Sequence, residues 1–136
     1  MAQNTIYTTS SPKPIETFIG DLTRTLTRNG FMIHNRNTMD LARSFREQEI
    51  EIKEDFDLRM IQICKPEKAA KSLGSNPYRA ALMPKFIMVF SDGPITMSQF
   101  LMFGQDEITR LVDDQEFPGS LAQTYQKIVE MIDESC

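Results

Sequence analysis

The segment Ile63-Cys64-Lys65-Pro66 places a thiol at the end of an apolar strand pattern and directly before a possible helix start. Proline is well suited to the first turn of a helix, where its missing N–H costs nothing. A thiol at such a position lies near unpaired N–H groups and the positive end of the helix dipole, which favours the reactive thiolate. Lys65 and Lys68 would add positive charge. The alternative is that Cys64 is a small buried hydrophobe on one strand face; both interpretations stay open.

A second group of polar residues follows in the segment Asn76-Pro77-Tyr78-Arg79 and at Lys85. A guanidinium fork, an aromatic ring and an ammonium group could together bind a carboxylate, a phosphate or a thiosulfonate. The alternative is a surface loop in which Tyr78 packs on the sheet and Arg79 pairs with an acidic residue. The candidate ligand-binding residues are therefore Cys64, Lys65, Tyr78, Arg79 and Lys85, and Cys64 is the candidate nucleophile.

Other chemistries find little support in the residue types. The chain has one histidine, His34, and no CxxC or HxxxH spacing, so we expect neither a metal site nor a cofactor. Its two cysteines, Cys64 and Cys136, indicate free thiols in a reducing compartment rather than a disulfide framework. We expect Cys136 to lie on a flexible, acidic tail.

Composition sets the broad class. The 136 residues suit one domain, 1–136, and a net charge of −4 argues against a nucleic-acid-binding protein with a basic face. No apolar run approaches the roughly 18 residues of a membrane span, and the first eleven residues are polar, without a signal-peptide core. We therefore expect a soluble, cytoplasmic protein with no membrane or nucleic-acid partner.

Periodicity predicts helices near both ends and antiparallel strands between them, which is an α+β arrangement. The first helix begins at Ile15 and ends at Asn29-Gly30, since glycine accepts the left-handed conformation. The segment 46–55 fits neither strand nor helix clearly. The predicted strands are 4–9, 31–35, 56–64, 86–90 and 95–102. Three short helices are also predicted: one capped by Thr38, one that begins at Pro66 and ends at Gly74, and one that begins near Asp106. A last helix is capped by Ser120.

Segment 63–102 resembles a family known as domain of unknown function 302. Cys64-Lys65-Pro66 is similar to the Cys-Asn-Pro motif of the family, and Met83-Pro84-Lys85 to a second motif where many relatives carry another cysteine. The resemblance implies a TATA-binding-protein-like β-α-β(4)-α arrangement: a compact antiparallel sheet packed by two main helices, here with short extra helices. It also implies dimers, and genes near those of sulfur metabolism and thiol handling.

These observations favour a small binding or carrier protein that is not an enzyme. Its ligand would be an apolar or thiol-containing small molecule held between sheet and helices. One alternative is a thiol-dependent enzyme or sulfur carrier that uses Cys64, and another is a structural protein-interaction module. We also expect a homodimer, because the strands carry more apolar residues than one covered sheet face needs, including Phe86, Phe90, Phe100 and Phe103.

Overall fold

A computed structural model of the chain describes residues 3–136. Five antiparallel strands form one sheet in the order β1-β5-β4-β3-β2. The strands are β1 (Thr5–Ser11), β2 (Met32–Ile33), β3 (Leu58–Cys64), β4 (Lys85–Asp92) and β5 (Ile95–Met102). The helices are α1 (Ile15–Arg28), α2 (Leu41–Glu47), α3 (Pro66–Ser75), α4 (Gln105–Leu111) and α5 (Phe117–Ser135), with a 3₁₀ helix at Pro77–Leu82. The α+β expectation and its β-α-β(4)-α order are confirmed.

The hydrophobic core lies between one face of the sheet and the two long helices. Alternate strand residues point to this face, and Ile61 on β3 and Ile87 on β4 are fully buried there. Leu22 and Leu26 on α1 and Ile128 on α5 pack against them and are also fully buried. Each such side chain stabilises the fold by about 1.5–3 kcal/mol through burial. This layer fixes the positions of the strand ends where polar residues gather.

Helix α1 covers the residues that the apolar spacing predicts. It ends at Arg28, and Gly30 follows with a φ of 84°, a conformation that glycine adopts without steric cost. The β4–β5 hairpin also lies where the Ser91-Asp-Gly-Pro sequence indicates a turn, and Gly93 there has a φ of 58°. Strong periodicity and turn signals therefore located α1 and the two strands of this hairpin within about two residues.

The start of α2 differs from the expectation. Asp40, rather than Thr38, caps this helix: its Oδ1 accepts a hydrogen bond from the Arg43 amide at 2.9 Å. A carboxylate is favoured there because it also interacts with the positive end of the helix dipole. The first two residues of the undecided segment 46–55 end α2, and the rest of the segment forms a loop. From α2, the Arg46 guanidinium donates to three backbone carbonyls of this chain region, within 53–56.

The start of α5 and the end of α3 differ as well. Helix α5 begins at Phe117, and Ser120 lies inside its first turn instead of capping it. The N-cap position is Glu116, whose side chain forms no capping bond, and Asp114 just before it accepts a hydrogen bond from the Phe117 amide at 2.8 Å. Gly74 does not stop α3, which continues through Ser75.

The opposite face of the sheet is uncovered over much of its area. Ile6, Leu101 and Phe86 are exposed there by 58%, 52% and 37%. Their neighbours on this face are mostly apolar or uncharged, among them Leu58, Met60, Gln62, Met88, Phe90 and Met97, and Asp92 places a charge at the end of β4. We call this surface the outer face. Over residues 3–136, none of the helices combines the length and the apolar character needed to cross a membrane.

Candidate small-molecule site

A cleft of about 40 Å³ lies where the end of β3 and the start of β4 meet the first turns of α3 and α5. We call it the lysine cleft, because three lysines line it and no acidic residue does, within the described residues. Its polar lining residues are Cys64, Lys65, Lys68, Ser72, Lys85, Ser120 and Thr124. Its apolar wall is formed by Phe31, Ala69, Met83, Phe117 and Leu121. The volume suits a compact polar group or a few water molecules.

Lys65 and Lys68 lie at the rim on successive turns of one helix face. The Lys65 ammonium lies 5.8 Å from the centre of the Phe31 ring, within cation–π range. Gly30 leaves room for it, since a Cβ at that position would lie 3.3 Å from Lys65 Cε. Lys68 Nζ donates to Thr124 Oγ1 at 2.7 Å. Partial burial lowers the pKa of Lys68, and the neighbouring positive charge of Lys65 adds to this.

Lys85 lies deeper than the other two. It begins β4, its side chain is half-buried, and its Nζ donates to the Met83 carbonyl at 3.0 Å. Burial lowers the pKa of Lys85, because it disfavours the charged ammonium. The Lys68 ammonium lowers this pKa further, whereas the interaction with Cys64 raises it. None of the three lysines forms an ion pair with another described residue. The cleft is therefore a site of uncompensated positive charge.

Cys64 ends β3, pairs with Met32 of β2 and is a half-buried free thiol in the cleft wall. It is thus neither a fully buried hydrophobe nor an exposed residue. Cys136 does not lie on an exposed tail: it is half-buried, and its thiol donates to the Ile132 carbonyl at 3.3 Å. Burial raises the pKa of the Cys136 thiol, since it disfavours the thiolate.

A second cavity, of about 300 Å³, adjoins the cleft at Lys85, which lines both. We call it the apolar cavity. Its walls come from β3, β4 and β5, the 3₁₀ helix and α5, and include Met60, Leu82, Phe86, Met88, Leu101 and Phe103. Met60, Phe86, Met88 and Leu101 belong to the outer face, so the cavity opens on that face. The volume reaches the range of about 300–1,000 Å³ typical of small-molecule sites. Lys85 is the charged residue in its lining.

The structure does not bring Tyr78 and Arg79 to the lysine cleft. Tyr78 is 84% exposed in the 3₁₀ helix. Arg79 is buried, and its Nε donates to Asp114 Oδ2 at 2.6 Å, while its Nη1 donates to Ser72 Oγ at 3.0 Å. Its guanidinium carbon lies 5.1 Å from the centre of the Phe117 ring. These contacts occupy Arg79, so Cys64, Lys65 and Lys85 are the predicted residues that share one site.

Asp114 is the residue that explains the position of Arg79. Besides the guanidinium it accepts hydrogen bonds from Asn76 Nδ2 at 2.9 Å and from the amides of Glu116 and Phe117. The Arg79 guanidinium, first among these donors, holds the pKa of Asp114 well below its usual range. The ion pair fixes the 3₁₀ helix, a wall of the apolar cavity, against the start of α5.

Several lining residues were not among the ligand-binding residues that the sequence predicted. Lys68 lies three residues after Lys65, and Ser120 and Thr124 lie four apart, so each pair shares one helix face. That spacing was a usable signal. The spacing does not predict how α3 and α5 pack against each other. Within 3–136, no three His, Cys, Asp or Glu side chains are grouped so that they could hold a metal ion.

Comparison with protein-family models matches residues 7–135 to the domain of unknown function DUF302. Among solved structures, the chain is similar to the crystal structure of an uncharacterized conserved DUF302 protein from Bacillus stearothermophilus. The TM-score is 0.79, over 96% of this chain and 98% of that one. The two sequences are 16% identical, so this similarity shows the fold alone. A search of curated proteins found no match.

Proposed function

Since this chain belongs to the DUF302 family, a family of unknown function, we propose its function from its own cavities. It is a binding or carrier protein, not an enzyme, for a small apolar or thiol-containing molecule. The observation that carries this proposal is the apolar cavity of about 300 Å³, which shares Lys85 with a cleft that contains a free thiol. Methionine side chains in its wall adapt to ligands of different shape.

The test is binding of a neutral apolar probe, 1-octanol, followed by ligand-observed NMR. Ala81 lines the mouth of the apolar cavity and the adjacent Ala80 does not, although both are exposed. We expect saturable binding to the wild type and to Ala80→Trp, and at least tenfold weaker binding to Ala81→Trp, whose indole fills the cavity. Absence of saturable binding to the wild type, or equal binding to both variants, would overturn the proposal.

A second candidate function uses Cys64 covalently, as a thiol-dependent enzyme or a sulfur carrier. Its half-buried thiol in the wall of the lysine cleft, next to ammonium groups of Lys65 and Lys85, supports this candidate. Positive charge stabilises a thiolate or a persulfide anion. The two unpaired thiols, Cys64 and Cys136, also support a reducing, cytoplasmic compartment as the site of action.

Native mass spectrometry of freshly purified protein separates the two candidates. A bound small molecule that leaves on denaturation supports the carrier function. An added mass of one sulfur atom that persists in the denatured chain and is absent from Cys64→Ser supports the sulfur carrier, with Cys136→Ser as the matched control. A denatured mass equal to that of the bare chain removes the sulfur-carrier candidate.

The outer face supports a homodimer. Its residues are uncharged and partly exposed except for Asp92, which lies at the rim where β4 ends, so a second copy can approach by a two-fold axis without burying a charge at the centre. Four strands of seven or eight residues, each about 4.8 Å wide, give a footprint of roughly 25 by 19 Å, or about 1,000 Å² over two copies. That area is near the lower limit for a specific interface, so we expect dissociation at micromolar concentration.

Light scattering over a concentration series tests the dimer. The wild type should approach twice its monomer mass of 15.6 kDa as the concentration rises. Ile6→Lys, on the outer face, should remain monomeric, and Leu111→Lys, at the end of α4, should behave as the wild type. A wild-type mass near 16 kDa at all concentrations removes this proposal.

A further inference from the structure

The charge of the lysine cleft is unusual for this chain. The protein carries a net charge of −4, yet Lys65, Lys68 and Lys85 converge on one small space whose lining has no carboxylate, within the described residues. A buried or half-buried charge is ordinarily paired, because removing it from water is costly. Here the pairing partner is not part of the described chain. An anion bound in the cleft would supply it.

Structural roles account for two of the three lysines. Lys68 donates to Thr124 and so links α3 to α5, and Lys65 lies over the Phe31 ring. Lys85 is different: an ammonium group has three N–H donors, and one hydrogen bond, to the Met83 carbonyl, is formed within residues 3–136. The other donors of this half-buried group are available to a ligand.

The two cavities differ in size and in character, and Lys85 lies between them. The cleft of about 40 Å³ accommodates a compact anionic group, but not a whole drug-sized molecule. The apolar cavity of about 300 Å³ accommodates roughly ten non-hydrogen atoms, taking the ~30 Å³ that a water molecule occupies in the liquid. A single ligand with an anionic head and an apolar body of that size would occupy both.

We propose that the ligand is a free amphiphilic monoanion whose anionic head binds Lys85, assisted by Lys65 and Lys68, and whose apolar body lies in the apolar cavity. This inference rests on the proposed binding function and names the ligand class. Lys85 selects for the anion, since a charge-assisted hydrogen bond is about twice as strong as a neutral one. The aliphatic walls impose no further polar requirement on the body.

The experiment compares octanoate with 1-octanol, which share the chain and differ in the charged head. We expect octanoate to bind the wild type about tenfold more tightly, and added salt to reduce this preference. In Lys85→Met the preference should fall below threefold. In Lys71→Met, which removes an exposed lysine of α3 outside the cleft, it should be unchanged. If Lys85→Met does not fold, Lys65→Met should still reduce the preference severalfold.

Each contrary result has a distinct meaning. Equal affinity for both probes overturns the anion selectivity and leaves the binding function in place, whereas no binding of either probe overturns both. Octanoate binding that Ala81→Trp leaves unchanged overturns the placement of the apolar body. Co-sedimentation with phosphatidylglycerol vesicles in place of octanoate binding would assign the lysines to a membrane surface and overturn the inference.

Discussion

Truncation of Leu22 to alanine tests the packing of α1 on the sheet. Leu22 is fully buried, so Leu22→Ala removes three carbon atoms that have no contact with solvent. At about 0.8 kcal/mol per buried methylene, the lost transfer free energy is about 2.4 kcal/mol. The unfilled space adds about 24 cal/mol for each Å³ that does not collapse, which brings the expected loss to about 3–5 kcal/mol.

This loss is large compared with the total stability of an ordinary domain, about 5–15 kcal/mol. For a chain of 136 residues it corresponds to a fall in Tm of roughly 10–17 °C. The measurement is thermal unfolding by circular dichroism, with a urea titration in which the midpoint should fall while the m value stays constant.

Leu111→Ala is the matched control, because it makes the same chemical change at a side chain that is 48% exposed at the end of α4. We expect it to change the free energy of unfolding by less than about 1 kcal/mol. If the Tm of Leu22→Ala lies within about 3 °C of the wild type, or if both variants lose the same stability, α1 does not present the face described here.

Three further predictions concern titrating groups. Because Arg79 lowers the pKa of Asp114, their ion pair stabilises the fold above pH 3.8, the ordinary pKa of aspartate, and this stabilisation is lost as the pH falls below that value. Acid unfolding of Asp114→Asn should therefore depend less steeply on pH than that of the wild type, and equal slopes would contradict the pairing. Burial lowers the pKa of Lys85, so at alkaline pH the unfolded chain still holds a proton that the folded chain has released. The stability of the fold therefore rises with pH up to about 10.5, and the urea midpoints of Lys85→Met should lack this rise. At pH 7 iodoacetamide should label Cys64 before Cys136, whose thiol pKa is raised; peptide mapping that finds Cys64 unlabelled would establish a buried, inert residue.

The fold was predictable where a pattern is local and strongly periodic. Helix α1 follows from apolar residues at helical spacing and the glycine after it, and β5 from the turn before it. The caps were less predictable, because Thr38 and Asp40, or Asp114 and Ser120, are all acceptable cap residues in sequence. Which of them acts depends on where the chain enters the helix, and tertiary packing decides that.

The candidate site was predictable in part for the same reason. Cys64 and Lys65 are neighbours in sequence, and their position before Pro66 indicates a strand end facing a helix start. The alternative that Arg79 pairs with an acidic residue was correct, but its partner could not be named, because Asp114 is 35 residues away and nothing local connects them. The apolar cavity is made by side chains from five elements, so no single segment carries its signal.

Asp114 joins two segments that are distant in sequence, and this has a consequence for native-state dynamics. One carboxylate accepts from Arg79 and Asn76 on one side and from backbone amides at the start of α5 on the other. If either the 3₁₀ helix or the start of α5 unfolds locally, Asp114 loses hydrogen bonds that hold the other segment. In hydrogen exchange, the amides of the 3₁₀ helix and of the first turn of α5 should therefore open together, with one common free energy, as a cooperative unit that includes walls of both cavities.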